Sequence, residues 1–139
     1  MGAGGDPPPR TTNLETRMIG YLTLGTNDLS RAARFYDELL ALLGAKRAME
    51  TERYIGWGSS PTATMLLLIK PHDGAPATVG NGTMVALAAG SREQVAAVHA
   101  RALALGALDE GPVGPRGDRF FGGYFRDPDG NKLAVFTLG

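Results

Sequence analysis

Phe125-Arg126-Asp127-Pro128-Asp129-Gly130-Asn131-Lys132-Leu133 sets a tight turn between two apolar runs. Pro128 presets its own φ, the aspartates cap neighbouring backbone N–H groups, and Gly130 accepts a positive φ that other residues resist. The spacing predicts a hairpin of Phe120 to Arg126 and Asn131 to Leu138. The same arrangement occurs earlier, where Ser59-Ser60-Pro61-Thr62 separates Arg53 to Gly58 from Thr64 to Lys70. Trp57 and Pro61 precede the strand Met65 to Ile69 as Tyr124 and Pro128 precede Lys132 to Phe136, so Leu67 aligns with Ala134.

The correspondence extends toward the N-terminus of each half. Met18 to Ala45 reads as a strand, an N-cap at Asp28, and a helix whose Leu29, Ala32, Ala33, Tyr36, Leu39, Leu40 and Leu43 fall at helical spacing until Gly44 ends it. Thr83 to Ala107 repeats the plan, with Ser91 and Gln94 at capping-box spacing and Val95, Val98, Ala102 and Leu105 as the buried stripe before Gly106. Tyr21 therefore aligns with Met84. Each half is strand, helix, then about three strands, and the class is α+β, with βαβββ modules at about 18–71 and 82–139. The stretch between them, 72–81, is rich in Gly, Pro and Asp and reads as a linker. Along the first strand Ile19, Tyr21 and Thr23 share one face, and Leu22 and Leu24 point to the other, under the helices.

A chain of 139 residues with 43% hydrophobic content forms one domain whose two modules share a core. Lys plus Arg and Asp plus Glu both total 14, so no net field draws it to nucleic acid or anionic lipid, and small-molecule partners fit better. The absence of cysteine excludes disulfides, thiolate metal sites and a cysteine nucleophile. No apolar run reaches membrane-spanning length. Residues 1–17, with Pro7-Pro8-Pro9 and several glycines, read as a disordered leader; Met18 is an alternative start, and a cloning remnant is the other origin open to the leader. The cytoplasm is the default location.

Leu22-Thr23-Leu24-Gly25-Thr26-Asn27-Asp28-Leu29, Arg34-Phe35-Tyr36-Asp37, Gly80-Asn81-Gly82 and the segment Phe125 to Leu133 together resemble the vicinal oxygen chelate superfamily of glyoxalase I, bleomycin resistance proteins and extradiol dioxygenases. The resemblance covers Met18 to Gly139. It implies paired βαβββ modules that curl as a mixed sheet around a ligand cavity, helices on the outer face, and a homodimer. It also implies where a divalent ion would be held, by His, Gln or Glu on the first and last strands of each module. In this chain those positions are Tyr21, Leu67, Met84 and Ala134. A phenol, a thioether and two hydrocarbon side chains do not make a divalent-metal site, so neither metal nor other cofactor is expected. His72 falls in the linker and His99 at the edge of the second helix's apolar stripe, and neither builds a cluster.

Strand parity gathers Tyr21, Thr23, Leu67, Met84, Ala134 and Phe136 on one wall, with Trp57 and Tyr124 expected nearby and Arg119 in a basic loop, Gly114 to Arg119, at the mouth. Such a wall suits a small amphipathic or aromatic ligand. Two other readings stay open. One is a lyase, isomerase or ring-cleaving dioxygenase that uses an atypical metal site or Tyr21 as acid or base, supported by Arg119 or Lys70. The other is an interaction module whose cavity is filled by its own side chains.

Overall fold

Helical and alternating patterns resolve into ten elements in the computed structural model, which describes residues 17–139. The first module runs β1 (Tyr21–Gly25), α1 (Leu29–Ala41), β2 (Lys46–Glu50), β3 (Tyr54–Gly58) and β4 (Met65–Ile69). The second runs β5 (Val85–Ala88), α2 (Arg92–Ala104), β6 (Leu108–Arg116), β7 (Phe120–Arg126) and β8 (Lys132–Leu138). The α+β class and the doubled βαβββ order match the sequence reading. The eight strands divide into two mixed sheets of four, in the orders β1-β4-β3-β2 and β5-β8-β7-β6. In each sheet an edge strand runs parallel to the module's last strand, and the remaining neighbours are antiparallel. The leader reading falls outside the described residues except at Arg17, whose guanidinium donates to the Thr62 carbonyl. No described helix is long and apolar enough to cross a membrane.

Both helices begin and end as their local chemistry requires. The Asp28 carboxylate accepts from Arg31 N at 3.0 Å, and the Ser91 hydroxyl accepts from Gln94 N at 3.1 Å. The reciprocal bond of Gln94 goes to Gly90 N at 2.6 Å rather than to Ser91 N, while its amide donates to Leu42 O at 2.8 Å and joins α2 to the first module. Gly44 and Gly106 follow the helices at φ 79 and 107, a conformation that favours glycine. Strands β2 and β6 are weakly alternating in sequence, and β6 is twice out of register with β7. One correction results: Gly114, Pro115 and Arg116 belong to β6, so the expected basic loop shrinks to the turn 117–119.

Each sheet turns one face to the helices. Leu24, Ile55, Trp57, Leu66 and Leu68 of the first sheet and Phe125, Leu133 and Val135 of the second join Phe35, Tyr36, Leu39, Val95, Val98 and Ala102 in a single core. Burying a leucine or valine of this kind is worth about 1.5–3 kcal/mol. One core therefore ties the modules together.

A polar clamp closes the same junction. Asp127 is buried and its Oδ2 accepts from the Tyr36 hydroxyl at 2.6 Å and from Asn131 Nδ2 at 3.0 Å, while its Oδ1 accepts the N–H groups of Asp129 and Asn131, both at 2.9 Å. Asn131 Nδ2 also donates to Gly25 O at 2.9 Å. Asp129 accepts from Thr26 Oγ1 at 2.6 Å, Asn27 N at 3.0 Å and Arg31 Nη2 at 2.6 Å. The turn of the second module is thus bonded to the end of β1 and the start of α1. Its aspartates serve the fold, because buried carboxylates need such partners.

Candidate functional site

The opposite, helix-free faces carry the four aligned positions. Tyr21 and Met84 are 61% and 43% exposed, whereas Leu67 and Ala134 are 5% and 0% exposed. The difference follows from topology: Tyr21 lies on edge strand β1 and Met84 just before edge strand β5, while Leu67 and Ala134 are on β4 and β8, flanked on both sides. Leu67 fills the space over Gly56, where an added Cβ would meet Leu67 Cδ1 at 3.0 Å. Thr23 pairs in register with Leu67, and Ala134 lies between Ala86 and Tyr124. The first pair of aligned positions is therefore on one sheet and the second pair on the other.

The donor set does not fit the divalent ion that the resemblance implies. A neutral phenol and a thioether are poor ligands, and buried Leu67 and Ala134 supply none. Among the described residues no three His, Cys, Asp or Glu side chains stand together in a way that could hold a metal. His72 is exposed, with Nδ1 3.4 Å from Arg53 Nη1. His99 is on the helix side of the second sheet, where Nε2 approaches the Tyr124 carbonyl at 3.1 Å and Asp109 Oδ1 at 3.3 Å. With Nε2 carrying the proton, the ring fixes the backbone of β7 beneath Tyr124.

The helix-free face of the second sheet is aromatic and basic. Phe120 and Phe136 stack with centroids 5.2 Å apart and planes at 5°. The Tyr124 ring has Arg116 Cζ and Lys132 Nζ each 5.5 Å from its centroid. A cleft of about 500 Å³ opens beside it, lined by the segment from Val79 to Met84 with Arg126 and Lys132. Arg126 donates from Nε to Glu110 at 3.0 Å and from Nη1 to Gly130 O at 3.0 Å.

Three sequence assignments move. Trp57 is 1% exposed and faces α1, where Nε1 donates to Asp37 Oδ1 at 2.9 Å and the ring packs 5.7 Å from that of Tyr36. Its strand parity places it with Ile55, under the helix, so it belongs to the core rather than the ligand wall. Arg119 is exposed in the β6–β7 turn, and its carbonyl accepts from Gly139 N, five residues beyond Ala134 and about 16 Å along the strand. Lys70 follows β4 at the end remote from Met65, the residue paired with Tyr21. Lys70 therefore does not reach the Tyr21 hydroxyl. The sequence pattern marks Arg116 within the expected basic loop but does not single out Arg126 or Lys132, although parity places Lys132 on the face of Ala134 and Phe120 on the face of Tyr124.

The family model of the glyoxalase/bleomycin resistance protein/dioxygenase superfamily matches residues 18–135. A glyoxalase/bleomycin resistance protein from Albidiferax ferrireducens T118 is similar in structure, with 38% identity, a TM-score of 0.81, and coverage of 87% of this chain and 98% of its own. A glyoxalase-related enzyme from Fulvimarina pelagi is 23% identical with a TM-score of 0.70, covering 87% of this chain and 88% of its own. A lactoylglutathione lyase from Agrobacterium tumefaciens is 21% identical with a TM-score of 0.64, covering 94% and 95%. The last two share the fold alone, and no curated protein matches the chain. The doubled βαβββ plan, the family-model match and the 38% identical structure agree: the chain belongs to the glyoxalase/bleomycin resistance protein/dioxygenase superfamily.

Proposed function

We propose that this protein binds a small amphipathic or aromatic molecule without a metal, on the helix-free faces of its sheets. The observation that carries this reading is the surface itself: Tyr21 and Met84 stay exposed while Tyr124, Phe120 and Phe136 form an aromatic wall. Aromatic and thioether side chains supply contact area, and Thr23 and the Tyr21 phenol supply orientation. Leu67 and Ala134, each buried at the centre of its own sheet, make the floor of the two faces, which stay open at their edges at Tyr21 and Met84.

A second copy of the chain completes the site in this reading. Ile19, Tyr21 and Met49, 41%, 61% and 38% exposed, spread apolar surface over the first module, and a homodimer that sets this surface against the partner's second module would bring Tyr21 toward Met84. Light scattering of the purified chain tests the dimer; a monomer at micromolar concentration rejects it. Binding is tested by calorimetry with a panel of small aromatic molecules, where loss of affinity in Met84→Ala and Tyr124→Ala supports the site and unchanged affinity in both rejects it. The lyase, isomerase or dioxygenase reading has less support, because Lys70 stands at the far end of β4 from Tyr21 and no hydrogen bond to the Tyr21 hydroxyl from a described side chain prepares it as acid or base. Chelator-sensitive turnover of a hemithioacetal or a catechol would reinstate it.

A further inference from the structure

The cleft between the Val79–Thr83 turn and the paired residues Arg126 and Lys132 is lined by two cations and no carboxylate, with Glu110 bonded to Arg126 from outside the lining. The larger cleft beside α1, about 650 Å³, is different: there Arg34, Arg47 and Lys70 are interleaved with Asp28, Glu50 and Glu52. Opposite charges in one cleft neutralise each other, whereas a cleft lined by one sign holds a counter-ion. The partners of the two cations narrow the choice of ion. Arg126 already uses Nε on Glu110 and Nη1 on Gly130 O, which leaves Nη2. Lys132 makes no ion pair among the described residues, and its ammonium rests 5.5 Å from the Tyr124 centroid. One free guanidinium nitrogen and one ammonium match the two oxygens of a carboxylate. Arg116, on the same Tyr124 ring, adds positive field without entering the cleft.

We infer that this cleft is a carboxylate subsite, in which Lys132 and Arg126 hold the acid group of a small aromatic acid whose apolar body lies against Val79 and Met84. The inference rests on the small-molecule reading above and gives its ligand a chemical class. Lys132 shares its strand face with Ala134, so the charge stands at the aligned positions and not at a remote surface.

Calorimetry on the full chain at low salt, with benzoate, benzyl alcohol and phenyl phosphate as probes, tests it. Benzoate is expected to bind about tenfold or more tightly than benzyl alcohol, and Lys132→Met to remove that margin while Lys132→Arg keeps most of it. Lys70→Met, in a different cleft, should change nothing. Melting temperatures of the variants identify any that fail to fold, and the arginine variant then carries the test alone by retaining or losing benzoate. Equal binding of benzoate and benzyl alcohol, or full benzoate affinity in Lys132→Met, overturns the subsite, and so does preference for phenyl phosphate. If benzyl alcohol binds and Met84→Ala weakens it while benzoate has no margin, the subsite falls and the pocket stands. If none of the probes binds, both fall.

Discussion

The Tyr36 hydroxyl donates to Asp127 Oδ2 at 2.6 Å, joining the first helix to the final hairpin across 91 residues of sequence. Removing the hydroxyl in Tyr36→Phe leaves the ring packed but takes a bond from a buried carboxylate, a loss of about 1.5–3 kcal/mol. Urea unfolding should show a lower midpoint with an unchanged slope. An unchanged midpoint would mean that Asn131 and the turn N–H groups alone satisfy Asp127.

The same pair has a pH signature. Burial, outweighing the bonds from Tyr36 and Asn131, raises the Asp127 carboxyl above its ordinary 3.8. Between that value and the raised native one, the folded state binds more protons than the unfolded state, so this residue's contribution declines as pH rises through the window. Asp127→Asn should be less stable in general but lack this decline, and the difference between the two stability profiles isolates it. Burial also raises the Tyr36 phenol above its usual 10.0, so its contribution falls as pH climbs past that value, an effect absent in Tyr36→Phe.

Asp37 behaves in the opposite sense. The bonds from Arg47, with Nε and Nη2 at 2.9 and 2.7 Å, and then that from Trp57 hold its carboxyl below 3.8. Its contribution is complete above that value and disappears as pH falls through the lowered native one. Asp37→Asn should therefore flatten acid unfolding at its low end. Trp57→Phe should cost about 2–4 kcal/mol, through the lost bond to a carboxylate and the space the smaller ring leaves in the core, while leaving ligand affinity unchanged. A selective loss of affinity with normal stability would return Trp57 to the ligand wall.

These predictions mark what could be read from sequence and what could not. The helices, the hairpins and the doubled plan were legible because periodicity, caps and turn residues are local: Asp28, Gly44 and Gly130 act within a few residues of themselves. Trp57 was misplaced because an aromatic beside a turn gives no sign of its face until its register with Leu66 is known. The sequence shows only the turn chemistry of Asp127 and Asp129, since their partners Tyr36, Thr26 and Arg31 are about a hundred positions away. Parity puts Lys132 on the face of Ala134, but its place in a cleft depends on the 79–84 segment folding beside it, about fifty positions away in sequence. The division of Tyr21 and Leu67 from Met84 and Ala134 between two sheets needed the strand order.

The donor chemistry of those four positions gives the last prediction. A divalent ion bound by one phenol and one thioether would gain too little to offset dehydration, so nickel, zinc, manganese and iron are expected to leave the melting temperature unchanged and to dialyse away. Elemental analysis of purified, tag-free protein after dialysis measures this directly. Stoichiometric metal would show that ligands outside Tyr21, Leu67, Met84 and Ala134 assemble a site, with His72, His99 and the nearby carboxylates the first to mutate. If the metal vanished in His99→Gln, the helix face of the second sheet, where His99 meets Asp109 at 3.3 Å, would become the place to look for chemistry.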